Sequence, residues 1–355
     1  MNAAEIRAAL AEPIISVEDL VKVYRGGVRA VDGVSFEVKR GEIFGFLGPN
    51  GAGKTTTIMM LITLLRPTAG RGRVCGRDIT VEPDEVRARI GYVSQDIAVD
   101  DTLTGRENLF LQGHLYHLTK DLIAERCREV LEMVDLTDRA GSRVSTYSGG
   151  MRKRLDIAGG LIHRPELLFL DEPTLGLDIQ TRRRIWDYIR LLRDRENVTI
   201  FMTTHYMEEA DQLCDRVAII DHGKVAAIGS PSELKAGIGG DLLFVEVEER
   251  PVGPAPSPDV STEGAEFSSF LAGIEGVSRV TVQDGRWVLV VSSGELAAPR
   301  VLSAVAGRGH TVRSLAMKKP TLDDVFLHYT GRALREDEGS SDFLRRRIGL
   351  RRARA

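Results

Sequence analysis

The chain has 355 residues, 43% of them hydrophobic, with 48 Lys+Arg against 51 Asp+Glu. That length supports two domains with filled cores rather than one small stapled fold, and the near-neutral charge leaves no electrostatic footprint for nucleic acid. The longest largely apolar run, Ile58 to Leu65, is far short of the roughly 18–20 residues that span a bilayer, and Glu5, Arg7 and Glu12 interrupt the start where a secretory signal needs apolar sequence.

From Ile14 to about Gly229, short β-branched runs alternate with helical patterns, the signature of a sheet covered by helices. Ile43 to Leu47, Leu167 to Leu170, Val198 to Thr203 and Val217 to Ile220 are almost continuously apolar, as strands buried on both faces require. Thr57 to Leu65 reads as a helix. Thr181 to Glu196 reads as another, placing Ile185, Ile189 and Leu192 on one face. Arg250 to Gly264 holds Pro251, Pro254, Pro256 and Pro258 and reads as a linker or long loop.

On either side of that linker, Asp241 to Glu248 reads as a strand and Val277 to Val291 as a hairpin turning at Asp284-Gly285. Helical runs at Phe267 to Ile274 and Glu295 to Ala306, and a strand from Thr311 to Ala316, complete a βαββαβ order and predict a small ferredoxin-like fold. The expected domains are therefore 14–235 and 241–335, followed by a basic, flexible tail over 336–355 with six arginines between Arg345 and Arg354. Cys75, Cys127 and Cys214 are isolated, lack metal-ligand spacing and read as reduced thiols. His310 and His328 have no clustered partners and read as ordinary surface or core histidines.

Chemistry enters at Gly48-Pro49-Asn50-Gly51-Ala52-Gly53-Lys54-Thr55-Thr56, which follows the strand Ile43 to Leu47 and opens a helix. The glycines let the backbone fold around a phosphate so that N–H groups face it. Lys54 adds a mobile positive charge, and the Thr55 hydroxyl can ligate Mg²⁺. Downstream, Leu167-Leu168-Phe169-Leu170 ends in Asp171-Glu172-Pro173. An acidic pair at a strand end is by itself more often a capping feature. Beside a phosphate loop, the first carboxylate is suited to Mg²⁺ and the second to polarising the attacking water.

Tyr147-Ser148-Gly149-Gly150-Met151, before the basic Arg152-Lys153-Arg154, resembles the signature motif of ATP-binding cassette ATPases. In the family's order come Tyr24, Gln95 in Tyr92-Val93-Ser94-Gln95-Asp96, Leu175-Gly176-Leu177-Asp178 and His205 in Thr203-Thr204-His205. Tyr147, Met151 and Leu175-Gly176 depart from the common pattern; with Leu155-Asp156-Ile157-Ala158 and Lys319-Pro320-Thr321-Leu322-Asp323-Asp324-Val325-Phe326 they resemble the daunorubicin-resistance type of exporter ATPase.

The resemblance implies an α/β P-loop cassette with antiparallel and helical subdomains, and a head-to-tail homodimer in which Ser148, Gly149 and Gly150 of one copy reach ATP bound by Lys54 of the other. Tyr24 would stack on adenine, Gln95 would ligate Mg²⁺ with Thr55 and Asp171, and Asp178 would join the two sites. Glu172 and His205 would serve hydrolysis with Lys54. The smaller domain would contact its twin and regulate the dimer, with Thr321 to Phe326 at that interface. With no membrane span, the expected partner is a separate multi-span permease, met at the cytoplasmic face of the membrane. Export of a drug or lipid-like solute is the first expectation. An importer subunit, or a soluble ATPase acting on nucleic acid or ribosomes, is the alternative.

Overall fold

The computed structural model describes residues 12–247, 260–283 and 286–331. Strands β1 (Ile15–Val23) and β2 (Arg29–Val38) pair antiparallel, and β4 (Ala69–Val74) and β5 (Arg77–Asp78) extend them into a four-stranded sheet in the order β2-β1-β4-β5. Beneath lies a six-stranded sheet of β3 (Ile43–Leu47), β6 (Ile90–Val93), β7 (Leu167–Asp171), β8 (Thr199–Thr204), β9 (Arg216–Asp221) and β10 (Lys224–Gly229), in the order β10-β9-β3-β8-β7-β6. All its pairings are parallel except β9 with β10.

Side chains alternate across a strand, so each apolar run in this sheet feeds two cores. Phe44, Phe46, Leu167, Phe169 and Phe201 point to the side covered by β1, β2 and helix α1 (Lys54–Leu61), where Phe36, Phe44, Phe46, Phe169 and Phe201 pack ring to ring at 5.4–5.9 Å between centroids. Ile43, Leu47, Leu168, Leu170, Ile200 and Met202 point the other way. On that side lie α3 (Gly105–Leu115), α4 (Lys120–Met133), α5 (Gly149–Leu161), α6 (Ile179–Glu196) and α7 (Met207–Leu213). A short α2 (Pro83–Arg87) precedes β6. α6 buries Ile185, Ile189 and Leu192 as its periodicity predicts, with Trp186 beside them. α1 begins and ends earlier than predicted: Gly53 opens it with φ 104°, and Thr63, at φ 66°, cannot continue it.

After α8 (Pro231–Ala236), the strands β11 (Asp241–Val247), β12 (Val277–Gln283), β13 (Arg286–Val291) and β14 (Val312–Lys318) form an antiparallel sheet in the order β12-β13-β11-β14. With α9 (Val260–Ala272) after β11 and α10 (Gly294–Gly307) after β13, this is the ferredoxin-like order that the sequence predicts. The predicted linker needs correction at one end, because 260–264 lie in α9; the prolines themselves, the hairpin turn Asp284-Gly285 and the basic tail lie outside the described residues.

A further helix, α11 (Leu322–Thr330), was not expected. Thr321 Oγ1 and N–H both donate to Asp324 Oδ2, at 2.6 and 2.8 Å, closing a capping box at its start. Its Leu322, Val325 and Phe326 are at most 1% exposed and share one core with Met207, Ala210 and Leu213 of α7 and Leu234 of α8. The apolar side chains of Thr321 to Phe326 are therefore spent inside the chain, not at the expected contact with a second copy. Among the described residues, no helix is long and apolar enough to cross a membrane.

Candidate functional site

The parallel strands all end on one edge of the sheet, so the segments that follow them converge. After β3, Gly48 donates its N–H to Thr204 O at 3.2 Å and runs so close to β9 that a Cβ there would meet Ile220 O at 2.2 Å. Pro49 and Asn50 lead into Gly51 and Gly53, at φ 80° and 104°, with the buried Ala52 between them. No side chain caps α1 and no acidic residue lies in its first turn, so its free N–H groups and the positive end of its dipole face the loop. Lys54, 5% exposed, folds back over that loop and donates to Gly48 O at 2.8 Å and Pro49 O at 3.2 Å.

The same ammonium lies 3.0 Å from Glu172 Oε1, and His205 Nδ1 lies 3.3 Å from Glu172 Oε2. Lys54 from the start of α1, Glu172 from just past β7 and His205 from just past β8 thus meet in one group, Lys54 and Glu172 buried and His205 part-buried. Burial pushes the Glu172 carboxyl up, but the His205 contact and the Lys54 charge outweigh it and leave the group below the usual carboxylate range. Asp171, one residue earlier, is 1% exposed and accepts from the hydroxyls of Thr203 and, at 3.4 Å, Thr55. For Asp171 burial wins and its carboxyl is pushed up. Neighbouring carboxylates with opposite shifts are suited to different roles.

Thr203 is the member that sequence reasoning missed. Its hydroxyl donates to Asp171 Oδ1 while accepting from the Glu172 N–H at 3.0 Å, and so holds both carboxylate residues. Glu172 has φ 46°, a left-handed conformation sustained by that bond and by the Lys54 and His205 contacts. The available signal was the Thr203-Thr204 pair that closes the strand after the apolar Ile200, Phe201 and Met202. Tyr24 stands nearby, half-exposed, its Oη 3.4 Å from Thr56 Oγ1. Gln95 is exposed just beyond β6 and has no side-chain hydrogen bond among the described residues.

A second group forms around Thr181. Ser148 caps α5 by accepting from Met151 N–H at 3.3 Å, and Asp178 caps α6, its carboxylate accepting from Thr181 N–H at 3.0 Å and Thr181 Oγ1 at 2.6 Å. Gly150 lets the two helix starts approach, since a Cβ there would meet Thr181 Cγ2 at 2.5 Å. Ser148, Gly149 and Asp178 are exposed. No hydrogen bond or ion pair among the described residues joins Ser148, Gly149 or Gly150 to Lys54, Thr55 or Glu172.

A glycine loop that presents backbone N–H groups and one buried ammonium to an anion, beside a strand ending in two carboxylates, suits a nucleoside triphosphate, and this chain is a P-loop ATPase. Residues 31–175 match the family described as ABC transporter, and residues 229–330 that described as ATP-binding protein DrrA1-3-like, C-terminal domain. The chain is 42% identical to the daunorubicin/doxorubicin resistance ATP-binding protein DrrA of Streptomyces peucetius, over 89% of this chain and 92% of that one. It is 38% identical to the linearmycin resistance ATP-binding protein LnrL of Bacillus subtilis, over 91% and 100%. Among solved structures, the ATP-binding cassette MJ0796, a dimer in a post-hydrolysis state bound to ADP and Pi, superposes with a TM-score of 0.55 at 26% identity, covering 61% of this chain and 98% of that one. The chain belongs to the ABC transporter family, as an ATP-binding protein of the DrrA1-3-like kind, and it binds and hydrolyses ATP.

Proposed function

We propose that the chain powers export of a drug or lipid-like solute through a separate multi-span membrane subunit, working as a head-to-tail homodimer on the cytoplasmic face of the membrane. The observation that carries this reading is the division of the site: Lys54 and Glu172 form a buried ion pair with the part-buried His205 beside it, while Ser148, Gly149 and Asp178 lie exposed in another group. A second copy, turned head to tail, would bring the exposed group of one chain over the phosphate loop of the other. The drug-resistance relatives support the choice of solute class.

In this reading, residues 48–56 bind the phosphates, the ring of Tyr24 stacks on adenine, and Ser148, Gly149 and Gly150 of the second copy close over the γ-phosphate. The Thr55 hydroxyl and the Asp171 carboxylate, already neighbours, fit Mg²⁺ as hard oxygen donors, with Gln95 brought in from its exposed loop. The metal would neutralise phosphate charge. Glu172, kept ionised, accepts a proton from the attacking water, and His205 orients Glu172 and contacts the γ-phosphate. Asp178 links the two sites through the start of α6. The domain carrying β11 to β14 regulates the cycle, and the permease is received beside Gln95, where Tyr92, Ala98, Asn108, Gln112, Tyr116 and Asp156 line a cleft.

The test is Glu172→Gln. ATP hydrolysis should fall at least about 100-fold, the range in which general bases contribute, and ATP should hold the variant as a dimer in light scattering. An unchanged rate would remove Glu172 from the role of base, and a monomer at saturating ATP would remove the sandwich.

A further inference from the structure

Beside the signature motif stand two charged features that play no part in the ATP chemistry proposed for this chain, the basic Arg152-Lys153-Arg154 and the acid in Leu155-Asp156-Ile157-Ala158. Lys153 and Asp156 stand three residues apart on α5 and so on one face of it. Both are buried, at 3% and 8% exposure, with Lys153 Nζ 3.6 Å from Asp156 Oδ2. Each also reaches the loop after β6. Lys153 Nζ donates to Ser94 O at 2.8 Å, and Asp156 Oδ1 accepts from Ala98 N–H at 3.4 Å. The loop is braced from within, since Ser94 Oγ donates to Asp96 O at 2.6 Å. Gln95 thus lies on a short segment fastened at both ends to the helix that Ser148 caps.

We propose that Lys153 and Asp156 are positioning residues that lock the Gln95 segment to the signature helix, so that displacement of one carries the other. The proposal rests on the roles of Gln95 and Ser148 in the function proposed for the chain. A buried ion pair is a poor source of net stability, because desolvating both charges offsets their attraction. Desolvation acts here on each partner, lowering the Lys153 ammonium and raising the Asp156 carboxyl. What the pair supplies is direction: two hydrogen bonds from one helix face to two fixed points of one loop. Asp156 Oδ2 is buried without a hydrogen bond, and Asp156 is among the residues that line the cleft beside that loop, so a group entering the cleft reaches a residue of the lock.

The experiment compares the full chain with Lys153→Met, Lys153→Arg and the double variant Lys153→Met/Asp156→Leu. Amide hydrogen exchange is read over 94–98, 149–161 and the control helix 54–61, with ATP affinity and steady-state kcat and KM. Lys153→Met should speed exchange over 94–98 about tenfold or more and leave 54–61 unchanged, as a local opening does. It should lower kcat about tenfold with KM for ATP within about twofold, the pattern of a misplaced group that does not hold the ground state. Lys153→Arg should restore both.

The double variant replaces the pair with apolar side chains and should melt no lower than the parent protein, yet keep the loose loop and the low kcat, which separates positioning from stability. Unchanged exchange over 94–98 in both the Met and the double variant overturns the lock. Faster exchange with parental kcat and KM shows the lock to be real and overturns instead the roles given to Gln95 and Ser148.

Discussion

The two principal sheets of this chain are built from similar apolar residues and do different work. In the central sheet, β3, β7 and β8 are buried along their whole length on both faces, and they run parallel. In the carboxyl-terminal sheet, β14 is largely exposed, β11 is only partly buried, and the strands run antiparallel. Parallel strands end on a common edge, so Lys54, Glu172 and His205, far apart in sequence, meet there within 3.3 Å contacts. Antiparallel strands end on alternate edges and bring no such group together. The dry surroundings of the central edge also make each charge there matter more. The second sheet meets the first through α11, whose buried face lies against α7, the helix that starts two residues after His205.

The comparison breaks most sharply at Gly48. Gly48→Ala forces a methyl group onto Ile220 O at 2.2 Å and must push the phosphate loop off β9. ATP hydrolysis should fall about 100-fold or more, as an ångström of misplacement can cost, with little change in exchange over 241–247. A parental rate would show that the loop tolerates the shift. Next is Phe326→Ala. Removing a fully buried ring costs about 3–5 kcal/mol, and since Phe326 lies in the core of α7 and α8, the ATPase activity itself should be lost at a lower temperature. If only the β11–β14 sheet melted earlier, α11 would belong to that sheet alone.

How much of this was legible follows from the range of each signal. Strand burial, the amphipathic α6 and the phosphate loop are local patterns, with periods of two or 3.6 residues or contiguous motifs, and they read correctly. The ferredoxin-like order was legible for the same reason. Lys153 and Ser94 are 59 residues apart and Asp171 and Thr203 are 32 apart, and no periodicity records which buried polar group a strand end will meet. α11 is the instructive miss. Its capping box, Thr321 with Asp324, is a local signal that was present and unread. Its docking on α7 and α8 depends on Met207, Leu213 and Leu234, and a nine-residue helix with one apolar face does not say what covers it.

The smallest effect separates the two sheets by their thiols. All three cysteines lie in the first region, and burial pushes Cys75 up to about 12, Cys127 up to about 11 and Cys214 well above the ordinary thiol range. An unfolded cysteine ionises near pH 8.5, roughly. A pKa raised by folding adds stability that is whole below the unfolded value and is lost as pH rises toward the folded one. At pH 9 the loss is about 1 kcal/mol per thiol. The unfolding midpoint of the ATPase region should therefore fall between pH 8 and 9.5, and replacing all three cysteines with alanine should flatten that slope. The β11–β14 sheet holds no cysteine, so tryptophan emission from Trp287, recorded in Trp186→Phe, should report a slope that the replacement leaves unchanged, unless α11 couples the two regions into one unfolding unit. A shared, flattened slope would place the coupling in α11, and Phe326→Ala should then split it.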